Sequence, residues 1–293
     1  MILTMIDRMI PPSPRIVSIA TLVSTFLLTV ASTLAQKESA PAPDAKLAFK
    51  SVVKDQGREP LQLHVFKPSD WKASDRRAAI VFFFGGGWVS GTPEQFYPQC
   101  RHLADLGMVA ISAEYRTRNS HGVTPEKCVE DGSEAIAWVQ NHAEKLGIDV
   151  NRIAAAGGSA GGHVAATTGT GVNQNGSAAR PALLVLFNPV LDTSPGGFKG
   201  ARVLGEKAID ISPLHHLDAD VPPTLIFLGD ADSIVPVSDA AEFHRQLASH
   251  GIECELALYA DEPHGFFNSG RRSYADTLRV MDAFLSRYGF FIK

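Results

Sequence analysis

The sequence predicts an α/β protein with a mostly parallel, eight-stranded sheet and helices on both faces. Three observations predict it: short apolar runs alternate with amphipathic stretches, several runs are apolar at every position, and several predicted helices end at glycine. A strand that is apolar throughout suits a sheet that is covered on both faces. Strands that alternate with helices favour parallel pairing, because parallel neighbours need a long crossover connection.

The composition is that of a globular protein. The 293 residues include 45% hydrophobic and 20% charged side chains, with a formal net charge of −4. These values exclude wholesale disorder, collagen and a coiled coil. A mildly acidic chain lacks the cationic surface that binds phosphate backbones, so we expect no nucleic-acid partner. Cys100, Cys128 and Cys254 have no zinc-ligand spacing, and they permit one disulfide whose pairing the sequence leaves open.

Residues 1–35 are predicted to be a signal peptide for export. Arg8 and Arg15 precede an uncharged, largely apolar stretch at residues 16–34, which leads into a small-residue cleavage site. The stretch is almost long enough to span a bilayer, so an uncleaved membrane anchor is the alternative. We expect a periplasmic or secreted protein, with residues 36–46 as a flexible linker.

Residues 47–293 are predicted to be one catalytic domain, since no repeat or composition break divides them. Each predicted strand is a short apolar run, and the predicted helices are amphipathic stretches between the later runs. The strands are predicted at residues 47–53, 61–66, 79–84, 108–113, 153–156, 182–187, 224–228 and 253–259. The helices are predicted at residues 93–106, 126–146, 160–168, 238–250 and 273–288.

The first candidate functional residue is Ser159, which follows a predicted strand and precedes a predicted helix. Parallel sheets bind ligands beyond the carboxyl ends of their strands. The segment Gly157-Gly158-Ser159-Ala160-Gly161 has the pattern G-x-S-x-G, which is typical of a strained turn that exposes a nucleophilic serine. In such a turn the Ala160 N–H points to where an oxyanion would form. A plain glycine–serine loop is the alternative, and the flanking strand and helix disfavour it.

A second candidate is the glycine-rich segment Gly85-Gly86-Gly87-Trp88, directly after another apolar run. Successive glycine N–H groups are typical of a site that stabilises a developing oxyanion. A dinucleotide-binding motif is disfavoured, because Ser90 stands where that motif needs a third glycine and no helix follows. A purely structural glycine turn is the remaining alternative.

Asp232 and His264 follow the last two predicted strands. An aspartate there could orient a histidine and stabilise its cationic form. We prefer Asp232 to Asp230, because Asp230 comes immediately after the glycine that ends its strand. A turn-forming aspartate and an ordinary loop histidine are the alternatives.

The order of these motifs resembles that of the α/β-hydrolase family: a glycine-rich loop, then Ser159, Asp232 and His264. Within that family, residues 47–293 are similar to hormone-sensitive-lipase-like and feruloyl- or acetylxylan-esterase-like carboxylesterases. The segments that carry the resemblance are Gly85-Gly86-Gly87-Trp88, Gly157-Gly158-Ser159-Ala160-Gly161-Gly162, Asp232 and Asp261-Glu262-Pro263-His264-Gly265-Phe266.

The resemblance implies a role for each matching residue. Ser159 would be the nucleophile, His264 the base and Asp232 the orienting acid. The N–H groups of Gly86, Gly87 and Ala160 would form the oxyanion hole. The chain departs from the family pattern at Phe84, where a histidine usually opens the oxyanion loop, and at Gly158, where the lipase-like branch often has aspartate.

We therefore expect a serine carboxylesterase that hydrolyses short-chain or small soluble esters, with acetyl or feruloyl esters of polysaccharide as one hypothesis. Trp88, Phe266 and Phe267 are expected to contact the substrate, with core packing as the alternative for each. Residues 192–217 are the expected short cap. The mechanism needs no metal or organic cofactor. A prolyl-oligopeptidase-like serine peptidase and a non-catalytic binding protein of the same fold are the alternative functions.

Overall fold

The structure is a computed structural model that describes residues 41–54, 57–173, 180–198 and 204–291. The predicted signal peptide, residues 1–35, lies outside the described residues. Within these described ranges, no helix is long and apolar enough to cross a membrane.

Eight strands form a single sheet. They are β1 (Ala45–Lys54), β2 (Gly57–Phe66), β3 (Arg77–Phe83), β4 (Val109–Ala113), β5 (Ile148–Gly158), β6 (Leu183–Phe187), β7 (Thr224–Gly229) and β8 (Cys254–Tyr259). Their order across the sheet is β1-β2-β4-β3-β5-β6-β7-β8. β2 is antiparallel to both of its neighbours, and all the other pairs are parallel. The predicted mostly parallel, eight-stranded sheet is confirmed.

The helices cover the two faces of this sheet. Those described are α1 (Tyr97–Asp105), α2 (Arg118–His121), α3 (Pro125–Asn141), α4 (Ala160–Gly169), α5 (Val237–Ser249) and α6 (Tyr274–Arg287). The helix predicted to start at residue 93 begins as a 3-10 turn over Pro93–Phe96. α3 ends five residues earlier than predicted, because the chain already turns there to enter a longer β5. The short α2 was not predicted.

Alternation along the central strands sends side chains to two separate cores. In β3, Phe83 packs into the core shared with α3, α4 and α5, whereas Phe82 packs into the core shared with α1 and α6. Both phenylalanines are fully buried. Apolar residues at every position of a strand therefore fit a sheet with helices on both sides.

The parallel strands bring their carboxyl ends to one edge of the sheet. In the observed register Phe83 of β3 pairs with Gly157 of β5, and Phe187 of β6 pairs with Phe227 of β7. Gly229 at the end of β7 pairs with Tyr259 at the end of β8. The segments that follow β3, β5, β6, β7 and β8 therefore lie along the same edge of the sheet.

Candidate active site

Ser159 occupies a strained turn between β5 and α4. Its backbone has φ 55° and ψ −120°, a conformation that costs a residue with a side chain on the order of 1–3 kcal/mol. The turn needs glycine on both sides. A Cβ on Gly157 would lie 2.3 Å from the carbonyl oxygen of Gly161, and one on Gly161 would lie 2.1 Å from that of Phe83. The pattern around Ser159 is thus explained by close packing of backbone.

The structure brings Ser159, His264 and Asp232 together. Ser159 Oγ lies 2.9 Å from His264 Nε2, and His264 Nδ1 lies 2.7 Å from Asp232 Oδ2. These distances allow the serine hydroxyl to donate to Nε2 while the Nδ1–H donates to the carboxylate. The three residues are 32 and 105 positions apart in sequence, so the sheet edge alone makes them neighbours.

The Asp232 side chain is completely buried yet remains ionised. Burial alone would raise its pKa, but hydrogen bonds from His264 and from the N–H groups of Val235 and Ile234 outweigh that effect and hold the pKa below its ordinary value. The alternative, Asp230, instead accepts from the Asp261 N–H at 2.7 Å. Asp230 therefore shapes the loop that carries His264 and does not contact the imidazole.

The glycine-rich loop presents unpaired N–H groups to the same cavity. Gly86 and Gly87 have φ of 131° and 64°, which favour glycine. Within the described residues, neither N–H donates a hydrogen bond. Ala160 is the first residue of α4, where the helix itself offers no acceptor. All three predicted oxyanion-hole donors are therefore available to a ligand.

Two side chains hold this loop in place although Phe84 stands where the family usually has histidine. The Phe84 ring stacks on Tyr115 with ring centroids 4.1 Å apart. The Tyr115 hydroxyl donates to the Phe84 carbonyl oxygen at 2.6 Å. Next along the loop, the Gly85 N–H donates to Gln95 Oε1 at 2.6 Å. A tyrosine and a glutamine thus supply side-chain hydrogen bonds to the loop, in addition to the backbone hydrogen bonds from the Arg118 and Asn119 N–H groups to its carbonyl oxygens.

The second departure from the family pattern, Gly158, also has a packing reason. A Cβ on Gly158 would lie 2.4 Å from Cζ of Phe267. Phe267 is itself held between Phe96 and Phe187, with ring centroids 5.6 and 4.9 Å away. The ring leaves no space for an aspartate before the nucleophile.

Ser159 and His264 open into a cavity of about 390 Å³. The side-chain amides of Gln95, Asn188 and Asn268 form a polar part of its lining, and another part is apolar. The apolar lining residues are Val89, Phe198, Ile234 and Phe267. Phe198 comes from the segment predicted as a short cap, and Ile234 is 48% exposed at the mouth of the cavity.

Of the predicted substrate contacts, Phe267 is part of this lining, whereas Trp88 and Phe266 are not. Trp88 is 2% exposed and Phe266 1% exposed, and both pack into the cores. The prediction failed for these two residues because position beside a catalytic residue does not determine where a side chain points. Trp88 has a φ of 59° and turns its ring inward against His163, 5.1 Å away between ring centroids.

His163 is a buried structural residue of α4. Its Nε2 donates to the carbonyl oxygen of Ile211 at 2.8 Å, whereas Nδ1 has no partner. Burial lowers the pKa of His163 to about 4, so the imidazole is neutral at physiological pH. The indole N–H of Trp88 is also buried without a partner.

Sequence reasoning missed the three amide residues of the cavity. Asn188 directly follows β6 at the carboxyl edge, so the strand-end rule that identified Ser159 would have found it. Its buried amide oxygen accepts from the Gly265 N–H at 3.0 Å, and its Nδ2 lies 3.4 Å from His264 Nε2. Gln95 and Asn268 carry no comparable signal.

Neither the cysteines nor a metal-binding cluster forms a second functional site among the described residues. All three cysteines are free thiols, so the structure forms none of the disulfides that the sequence left open. Burial raises the pKa of Cys254 to about 12, which keeps it protonated. In the part of the chain that the structure describes, no group of three His, Cys, Asp or Glu side chains could hold a metal ion.

A mostly parallel sheet with Ser159, Asp232 and His264 joined at its carboxyl edge defines an α/β-hydrolase. Comparison with known proteins agrees, because residues 80–268 match the family model described as alpha/beta hydrolase fold. The chain belongs to this family, and the predicted resemblance is confirmed.

The most informative relative of known structure is a thermophilic esterase of Thermogutta terrifontis. Its native structure is 42% identical, with a TM-score of 0.77, over 84% of this chain and 93% of that one. A propionate-bound structure matches at 41% identity and TM-score 0.78, over 85% and 96%. A structure phosphonylated by cyclosarin matches at 41% and 0.79, over 87% and 97%.

Several relatives known by sequence are named as esterases or ester hydrolases. Esterase LipC of Mycobacterium tuberculosis is 29% identical over 72% of this chain, and ethyl acetate hydrolase of Pseudomonas putida is 25% identical over 72% of both chains. The chain spans 58% of the length of LipC. It thus covers less than two thirds of that relative.

Proposed function

We propose that the protein is a serine carboxylesterase that hydrolyses short-chain or small soluble esters. The observation that carries the proposal is the chain of hydrogen-bonding distances from Ser159 Oγ through His264 to Asp232, 2.9 and 2.7 Å. A serine whose hydroxyl is within hydrogen-bonding distance of an imidazole that a buried carboxylate orients is an activated nucleophile.

In the proposed acylation step, His264 Nε2 takes the proton of Ser159 as Oγ attacks the ester carbonyl carbon. The N–H groups of Gly86, Gly87 and Ala160 donate to the oxygen that becomes negative. Asp232 stabilises the imidazolium and keeps Nε2 directed at the serine. His264 then donates its proton to the leaving alcohol as the bond to the tetrahedral carbon breaks.

Deacylation repeats these steps with water as the nucleophile. His264 takes a proton from the water that attacks the acyl-enzyme, and the oxyanion again forms against the same N–H groups. Collapse of the tetrahedral intermediate releases the carboxylic acid, and the proton returns from His264 to Ser159 Oγ. The cycle consumes one ester and one water.

The cavity favours small substrates. Its volume of about 390 Å³ lies near the lower end of the range of ligand pockets. The apolar wall at Val89 and Phe198 suits a short acyl chain. Propionate binding by the Thermogutta esterase and the ethyl acetate activity named for the Pseudomonas relative support the same class of substrate.

A substrate panel with an active-site label tests the proposal. We expect the purified protein to hydrolyse p-nitrophenyl acetate and butyrate faster than the octanoate, and a fluorophosphonate probe to label wild type but not Ser159→Ala. Acetylated xylan and methyl ferulate test the polysaccharide hypothesis in the same assay. Cleavage of a chromogenic proline peptide without ester turnover would instead indicate a peptidase. Absence of both turnover and labelling would indicate a binding protein.

We also propose export through residues 1–35, on the strength of the sequence pattern there. Expression of the full chain followed by fractionation and N-terminal sequencing tests this. The expected product begins near Gln36 and is found outside the cytoplasm. A full-length product in the membrane fraction would identify an uncleaved anchor instead.

A further inference from the structure

A row of hydrogen bonds between side-chain amides joins the glycine-rich loop to the loop that carries His264. The Gly85 N–H donates to Gln95 Oε1 at 2.6 Å, and Gln95 Nε2 donates to Asn268 Oδ1 at 3.0 Å. Asn268 Nδ2 donates in turn to the carbonyl oxygen of Gly265 at 2.8 Å. We refer to Gln95 and Asn268 as the amide bridge.

Each end of the amide bridge is next to a reacting group. Gly85 directly precedes the two glycines of the proposed oxyanion hole, and Gly265 directly follows His264. Building on the proposed esterase function, we propose that the amide bridge is a positioning element that fixes the oxyanion hole relative to His264. It takes over part of the role of the histidine that Phe84 replaces.

The two loops otherwise lack a direct polar connection through their backbones. Within the described residues, no backbone hydrogen bond joins residues 84–92 to residues 260–272. Oxyanion donors stabilise charge only if they are oriented before the reaction begins, and a displacement of about 1 Å can cost on the order of 100-fold in rate. Both the donors and the imidazole must be in place in the same transition state.

The amide bridge can be cut without removing the packing that surrounds it. Phe96, next to Gln95, stacks on Phe267, next to Asn268, with centroids 5.6 Å apart. This apolar contact remains in variants of the amides. We therefore expect such variants to fold, which near-UV circular dichroism and the melting temperature would verify.

The first test is a double-mutant cycle with p-nitrophenyl acetate. We expect Gln95→Ala and Asn268→Ala each to lower kcat about tenfold and to change KM less than about twofold, because the lost interaction orients groups in the transition state. The double variant should lose about as much as either single variant, since one substitution already opens the bridge.

Gln99 provides a matched control. It is a buried glutamine of α1, whereas Gln95 is partly exposed. The Gln99 Nε2 donates to the Phe267 carbonyl oxygen at 3.3 Å, so Gln99 contacts the His264 loop but not the glycine-rich loop. We expect Gln99→Met to keep kcat within about twofold of wild type. A loss equal to that of Gln95→Ala would mean that any loosening near Phe267 slows the enzyme, and would overturn the proposal.

Gln95→Glu gives a signature that simple loosening would not produce. A protonated carboxyl can accept from the Gly85 N–H with one oxygen and donate to Asn268 Oδ1 with the other, whereas a carboxylate cannot donate. The ratio of kcat in Gln95→Glu to kcat in wild type should therefore rise as the pH falls from 8 to 5. The same ratio for Gln95→Ala should stay constant.

The outcomes separate this proposal from the esterase function on which it rests. If wild type neither turns over esters nor reacts with the fluorophosphonate, the esterase function is wrong. If wild type is active but the losses in the cycle are additive, or both pH ratios are flat, the positioning role is wrong and the esterase function stands.

Discussion

The two edges of the sheet differ in which residues they place at positive φ. At the carboxyl edge, glycines such as Gly86 and Gly87 are joined by four described residues with side chains: Trp88, Ser159, Asn188 and Asp261. At the amino edge, the turns that lead into β4, β5 and β8 place glycine at positive φ: Gly107, Gly147 and Gly251. Glycine adopts this conformation without a Cβ penalty, whereas other residues pay about 1–2 kcal/mol.

The difference shows where the fold accepts strain. Ser159 needs its hydroxyl at the strained position, and Asn188 needs its amide to hold the Gly265 N–H. Glycine could adopt both conformations but could supply neither group. At the amino edge nothing beyond a change of direction is required, so glycine is sufficient. Strain is therefore concentrated around the proposed catalytic centre.

The largest expected effect comes from replacing Ser159. We expect Ser159→Ala and Ser159→Gly both to lower kcat on p-nitrophenyl acetate by about 10⁴-fold or more, because each removes the nucleophile. Only the glycine variant also relieves the backbone, so it should be more stable than Ser159→Ala by about 1 kcal/mol despite the extra chain entropy of glycine.

Urea unfolding of the two Ser159 variants measures that difference directly. Both lack the hydroxyl, so the comparison isolates the Cβ. Equal unfolding midpoints would mean that the backbone at Ser159 is not strained. The proposed difference in strain between the two edges would then be wrong.

The motifs at the carboxyl edge were predictable because each combines a strand end with a specific residue pattern. Ser159 has close-packed glycines on both sides, and Asp232 and His264 follow successive strands. The amide bridge was not predictable, because its two side chains are 173 positions apart, with Gln95 in a predicted helix and Asn268 in a loop. Contacts of this kind depend on side-chain direction, which a single sequence does not encode locally.

The wrong assignment of Trp88 has the same origin. Its positive φ follows from the path of the glycine-rich loop, and this path turns the indole into the core instead of the cavity. Ile234 and Phe198 line the cavity but were not predicted to, because they lie in segments with no strand or helix pattern. The strands and their mostly parallel arrangement were thus easier to predict than the walls of the cavity.

A second test concerns the buried His163. It lies in the first turn of α4, four residues after Ser159, at the carboxyl edge. Its pKa of about 4 lies below the ordinary value of 6.5, so the unfolded chain binds more protons between these pH values. Stability should therefore fall as the pH drops from 6.5 to 4, by up to about 3 kcal/mol from this residue. His163→Gln, which can still donate to the Ile211 carbonyl oxygen, should weaken this acid dependence.

The measurement is the free energy of urea unfolding at pH 7, 6 and 5 for wild type and His163→Gln. His250 is exposed at the end of α5, and His250→Gln is the control for replacing a histidine at the surface. The same slope in wild type and His163→Gln would show that His163 is not the source of acid sensitivity.

The smallest expected effects come from the amino edge, where two glycines differ only in their surroundings. A Cβ on Gly147 would lie 2.7 Å from the Lys72 carbonyl oxygen, whereas a Cβ on Gly251 would meet nothing within 4 Å. Gly251→Ala should therefore cost only the backbone penalty, about 1 kcal/mol, and Gly147→Ala about 2–3 kcal/mol because backbone must also move. Urea unfolding gives both values, and kcat should remain unchanged because neither turn touches the cavity. A loss of activity in either variant would show that the two edges are coupled, so that strain at the catalytic edge would depend on turns at the opposite end of the strands.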